Sequence, residues 1–179
     1  MHRIEVSLKS HLPDPAGRGL VKDIHDLGIT SVTEARIVDV YWLDAHLSPE
    51  KVELIGKHLL ADSVTQEYRS GPGEPESALD GYRVVEVAYN AGVTDPVKDS
   101  VMKAIQDLGI PNVRAVATAR RYLLRGEISQ NDLDTIASRL LVNPIIQHVV
   151  EEDITQFPEN PQYTLVSIKV PLLEVSQDE

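Results

Sequence analysis

The feature that most constrains this chain is that it contains itself twice. Shifted by 81 positions, the DLGI of Asp26–Ile29 falls on the DLGI of Asp107–Ile110 without a gap. At the same offset Asp14-Pro15 meets Asp95-Pro96, Val32 meets Val113, and Tyr41 meets Tyr122. Ser48 meets Ser129, Ile55 meets Ile136, Leu59-Leu60 meets Leu140-Leu141, and Gln66 meets Gln147. About 18 of roughly 68 aligned positions are identical, which marks a duplicated supersecondary unit. A unit of about 70 residues has a thin core and gains from packing on a neighbour. The two halves are therefore expected to superpose and to pack together about a pseudo-twofold axis.

Within each unit the pattern reads strand, helix, long strand or hairpin, helix, short strand. Residues 3–9 and 82–89 alternate polar and apolar, as half-buried strands do. Asp14 and Asp95 are placed to cap helices, with Pro15 and Pro96 at the first helical position, where a missing N–H costs nothing. Leu20, Ile24 and Leu27 form an apolar stripe at helical spacing, as do Val101, Ile105 and Leu108; Gly28 and Gly109 end the helices. Extended stretches at 32–44 and 113–125 follow, then helices opened by Ser48 and Ser129, then closing strands at 64–68 and 145–150. The predicted class is α+β, two tandem units related to the ferredoxin-like split βαβ pattern. The expected division is 1–69 for the first unit, 70–81 for a Gly/Pro/Ser/Glu linker, 82–152 for the second unit, and 153–179 for an acidic tail. The tail holds a further strand candidate at 163–175, which Pro171 would limit to an edge.

Composition narrows the function classes. The chain has no cysteine, which removes disulfides, thiolate metal sites and a cysteine nucleophile. No segment approaches the ~20 apolar residues of a membrane span, so a cytoplasmic protein with no membrane partner is expected. The net charge of −11 argues against nucleic acid as a partner, because phosphate binding needs an excess of Lys and Arg. The six histidines form neither HxH nor HExxH spacing, no metal site is expected, and no glycine-rich phosphate loop is present. Gly17-Arg18-Gly19 lies inside the first helix and reads either as a loose first turn or as a close backbone approach to a partner. The carboxylate pairs Glu50/Glu53 and Asp132/Asp134 sit where they favour helix dipoles. Arg120, Arg121 and Arg125 put three positive charges on one extended segment of an acidic protein, with Arg121 and Arg125 on one face and Arg120 on the other. They read as a solvated strand edge, or as a docking surface for an acidic partner or an anion.

The run LPDPAGRGL at 12–20, the LGI turn, and the LLVNPIIQ close at 140–147 resemble the PurS family in their order, and most of that pattern occurs twice. Asp14, Pro15 and Gly17, then Asp95 and Pro96, then Asn143 and Pro144 stand at the family's motif positions. The family's V-R-x-G-K stretch departs in both copies. The first keeps Arg36 but has Val38-Asp39, and the second has Ala117 and Ala119-Arg120. What the resemblance implies is a small, non-catalytic component of formylglycinamidine ribonucleotide synthase without a cofactor of its own. It would act as a dimer that bridges an ATP-using synthetase (PurL-type) and a glutaminase (PurQ-type), as separate subunits or as the N-terminal region of a fused chain. A tandem chain is then the family dimer made covalent, with Arg36, Arg120, Arg121 and Arg125 as candidate contacts. A stand-alone small-molecule-sensing module built from two α+β repeats is the alternative.

Overall fold

A computed structural model of the chain describes residues 1–74, 77, 79 and 81–151. The strand expected at 163–175 lies outside them. The first half comprises β1 (His2–Leu8), α1 (Pro15–Asp26), β2 (Val32–Ala45), α2 (Pro49–Ile55) and β3 (Gln66–Ser70). The second repeats it as β4 (Tyr82–Tyr89), α3 (Lys98–Asp107), β5 (Val113–Gly126), α4 (Gln130–Ile136) and β6 (Gln147–Val149). The α+β class holds, and each long extended stretch is one 14-residue strand, not a hairpin. The second helix of each half runs on into a π-helical turn at equivalent positions, Gly56–Leu60 and Ala137–Leu141.

All six strands join one antiparallel sheet in the order β3-β1-β2-β5-β4-β6. Replacing each strand by its repeat equivalent reverses that order onto itself. A pseudo-twofold axis therefore runs between β2 and β5, the longest ladder in the sheet, as the duplication predicts.

Local sequence sets the helix starts. Asp14 caps α1 by accepting from the Gly17 N–H at 2.8 Å, with Pro15 in the first turn. At the equivalent place Asp95 accepts from Val97 and Lys98 N–H at 2.9 and 3.2 Å, and α3 begins only at Lys98. Pro96 thus lies in a turn ahead of the helix and not at its first position. Gly28 and Gly109 take φ of 89° and 76°, the left-handed turn that stops each helix. Gly17 is a close-approach glycine, but the approach is internal. A Cβ there would run into the Ala35 carbonyl of β2. Gly19 has open space around it.

The helices pack across the axis. One core joins Ile4 and Val6 of β1, Leu43 of β2 and Ile55 of α2 to Ile105 of α3. The other joins Val85 and Val87 of β4, Leu124 of β5 and Ile136 of α4 to Ile24 of α1. Each half therefore lends its first helix to the core of the other. A shared interface between two finished units is replaced by two cores that neither half completes alone. The registers place both cores on one face of the sheet. The opposite face carries a smaller cluster of Val38, Val40, Trp42, Ala88 and Ala119. Among the described residues no helix is long and apolar enough to cross a membrane.

Candidate functional site

A residue and its repeat equivalent can oppose each other in a ladder only on the twofold axis. Along β2–β5 this happens at Asp39 and Arg120, which stand 81 positions apart. Arg120 Nε lies 3.3 Å from Asp39 Oδ1, and both side chains are half-exposed, at 57% and 42%. In a dimer of identical chains this position would face its own copy. Here one copy is an acid and the other a base, an arrangement that only an asymmetric pair can hold. Tyr41 and Tyr122, also equivalents, line a cavity of about 120 Å³ around the pair, together with Thr118 and Gln147. Burial opposes the charged form of Arg120, but Asp39 and the Tyr122 hydroxyl outweigh it and raise its pKa. Burial likewise pushes both tyrosine hydroxyls up. Thr118 donates to Asp95 at 2.8 Å, which ties the cap of the α3 turn to this central ladder.

On the opposite face, four charged side chains are buried together. Glu5 and Glu86 are repeat equivalents, and both reach toward the axis. Arg3 bridges them, with Nη2 at 2.8 Å from Glu5 Oε1 and 2.6 Å from Glu86 Oε2. Arg121 Nη1 binds Glu5 Oε1 at 2.9 Å, and its Nη2 donates to the Glu74 carbonyl. Arg69 adds a third cation to Glu5 at 3.0 Å. Burial alone would push the Glu5 carboxyl up; the bonds from Arg3 and Arg69 and the charge of Arg121 outweigh it and hold it below the usual range. Arg3 also stacks on the Trp42 ring, 5.0 Å from its centroid. Its pKa is raised, because its two carboxylate partners overcome the opposing burial.

The arginines predicted as surface contacts divide sharply. The alternation holds, with Arg121 and Arg125 on one face and Arg120 on the other. The edge does not, because β5 lies at the centre of the sheet. Arg121 is 6% exposed and belongs to the buried cluster, so it is no docking residue. Arg125 stays exposed, stacked on Tyr82 at 4.4 Å and 3.6 Å from Glu34. Arg36 binds the same Glu34 at 3.0 Å, and these contacts draw the Glu34 carboxyl down. Asn143 and Pro144 form the turn before β6, where Asn143 Oδ1 accepts from Ile145 N–H at 3.1 Å. Arg3, Glu5 and Glu86 were not among the site residues expected from the sequence, and Tyr41 and Tyr122 stood there only as matching repeat positions. Their signal was present in the repeat, since Glu5 and Glu86 are identical at the offset and Asp39 and Arg120 are opposite in sign. Among the described residues no group of three or more His, Asp or Glu side chains could hold a metal ion.

Comparison with known proteins agrees with this architecture. A search of curated proteins finds no match. The family model of PurS, described as phosphoribosylformylglycinamidine (FGAM) synthase, matches twice, over residues 1–71 and again over 83–152. Its two matches cover the two halves that the pseudo-twofold axis relates, so the chain belongs to the PurS family, in tandem form, with a role tied to FGAM synthase in purine biosynthesis.

Proposed function

We propose that this chain is the accessory, non-catalytic component of FGAM synthase, as a subunit or as the N-terminal region of a fused enzyme. In this reading it holds an ATP-using synthetase and a glutaminase together in the cytoplasm, so that ammonia passes between them. One observation carries the reading. The family pattern occurs twice, and its two copies share a single sheet about one axis, as a dimer written into one chain would. Covalent linkage raises the effective concentration of each half near the other. It also lets the two sides of the axis diverge, which the Asp39–Arg120 pair illustrates. Arg36, Arg120 and Arg125 remain exposed enough to contact acidic surfaces. Asp14 and Asn143 stiffen the turns that the family motif marks.

The test is reconstitution. Synthetase and glutaminase are assayed with and without the chain, using glutamine in one series and ammonia in the other. The expected result is that glutamine-dependent turnover requires the chain while ammonia-dependent turnover does not. Equal glutamine-dependent turnover in its absence would overturn the assignment.

A further inference from the structure

An antiparallel sheet with helices on one face commonly leaves its other face to water. Here the face away from the helices is buried. Ala88 and Ala119 are 4% and 8% exposed, and Val38, Val40 and Trp42 lie between 0% and 7%. Neighbouring strands flank such side chains but do not roof them, so another layer must stand above. Part of that roof is described. Arg3 reaches from β1 to Glu86 on β4, and Gly73 and Glu74 lie against Arg3, Arg69 and Arg121. The connection that holds Gly73 and Glu74 runs on to Tyr82, which pairs with Arg125. Passing from Arg121 toward Arg125, it is committed to the side of the axis that carries those two arginines.

On this face the two sides of the axis have diverged. Ala88, Ala117, Ala119 and Val40 stand together on one side, and their repeat equivalents on the other are Ser7, Arg36, Val38 and Arg121. The connection thus takes the charged side and leaves the side of small apolar residues. The axis that carries β3 onto β6 also carries the stretch after β3, which lies on this face, onto the stretch after β6. The chain already heads there. Val150 packs against the apolar cluster, its N–H donates to the Glu86 carbonyl at 2.8 Å, and Glu151 is the last described residue. In the sequence that follows, Val166, Ile168 and Val170 alternate with Ser167 and Lys169, the spacing by which a strand presents one apolar side. Residues 152–162 span up to ~36 Å when extended, enough to cross strands spaced ~4.8 Å apart several times over. A strand laid over a face needs no ladder partner, so Pro171 is no obstacle there.

We infer that the apolar side of this face is the docking site of the chain's own C-terminal segment, with Val166, Ile168 and Val170 seated on Ala88, Ala117 and Ala119. The small alanines leave room for β-branched side chains above them. The first unit's connection covers the charged side and the second unit's covers the apolar side, so the two equivalent segments divide one face. The inference does not depend on the accessory role proposed above. It closes this face to partner proteins and leaves them the helices and the sheet edges.

The chain has no cysteine, so a single thiol can be placed on the face and its reaction rate measured. The experiment uses the full chain with Ala88→Cys or Ala119→Cys, each alone and combined with Ile168→Asp or Lys169→Asp, and a thiol reagent. Alone, each thiol should react slowly and at a rate independent of protein concentration. Ile168→Asp should speed labelling by about tenfold or more, because a covered thiol reacts only while its cover is open. Lys169→Asp, on the other side of the alternation, should leave the rate unchanged. Ala45→Cys lies in the core under the helices and should stay protected in every background, which separates loss of the cover from unfolding. If Ile168→Asp exposes that thiol too, the milder Ile168→Ala takes its place in the same comparison. Fast labelling of the isolated chain would overturn the inference in favour of a partner protein. Protection lost on dilution would overturn it in favour of a second copy, and rates indifferent to residue 168 would remove the C-terminal segment as the cover.

Discussion

Replacing Arg121 by methionine tests whether the buried charge cluster is the keystone of the pseudo-dimer. The change removes the bond to Glu5 at 2.9 Å, the 3.9 Å contact with Glu86 and the donation to the Glu74 carbonyl. It keeps most of the side-chain volume, so the cavity contribution is small. Removing one member of a buried ion pair costs about 3–5 kcal/mol, because its partner is left charged and dry. Arg3 still bridges both carboxylates and Arg69 still reaches Glu5, which places the loss near 3 kcal/mol, at the lower end of that range. For a domain of this size that corresponds to a fall in Tm of roughly 6–12 °C. The pH dependence is diagnostic. In the parent, Glu5 is held below its ordinary pKa, so its stabilisation is present above the unfolded value and fades as pH falls through the folded value. In the variant, Glu5 loses one of the cations that hold its carboxyl down, so it titrates higher than in the parent. Its penalty is then present at neutral pH and is relieved as acid protonates it. The stability gap between parent and variant should therefore narrow from about pH 7 to about pH 4.5, whatever happens to each alone. Urea unfolding at both pH values measures this. A gap under ~1 kcal/mol at neutral pH, or one that stays constant into acid, would refute the assignment of Arg121 as a structural counter-ion.

Three more outcomes follow from the geometry. Asp39→Arg should destabilise the fold by up to about 1 kcal/mol, and the swapped pair Asp39→Arg with Arg120→Asp should recover most of it; thermal melts of the three variants check this, and a swap no better than the single change would show that the pair is incidental. Gly17→Ala should cost at least about 2 kcal/mol, because its methyl meets the Ala35 carbonyl, whereas Gly19→Ala should stabilise by about 0.5–1 kcal/mol, and chemical denaturation of each separates the two glycines. Cutting the chain once between Pro72 and Gly81 should leave the two pieces bound together through native gel filtration, since each core draws a helix from both; pieces that separate would contradict the crossed packing.

Much of the fold was legible because the repeat doubled every local signal. The strands at 32–45 and 113–126, the Asp14 cap and the glycine stops stand within a residue or two of the patterns that announced them. Pro96 misled, because the Asp95 side chain, shared with Thr118, opens a turn before the helix and delays its start. Arg121 misled for a different reason. Alternation gives a side chain its face but not the depth of its strand in the sheet, and Arg121 differs from Arg125 in how near it lies to the axis. The crossed helices left no periodic trace at all. Ile24 reads as an inward residue of its own helix, and nothing local says that the core it enters belongs mainly to residues more than 60 positions away.

That crossing has a consequence for how the chain comes to be folded. The contacts that complete the first core arrive with α3, and the ladder that aligns the halves pairs residues about 80 positions apart, such as Asp39 with Arg120. Such distant pairing makes for slow folding. During synthesis, the first half emerges with Ile4, Val6 and Leu43 covered by α2 but still open on the side that α3 and β5 fill when they leave the ribosome. The nascent first half is thus an aggregation-prone intermediate by construction, and the interval before the second half appears is when the chain most needs protection.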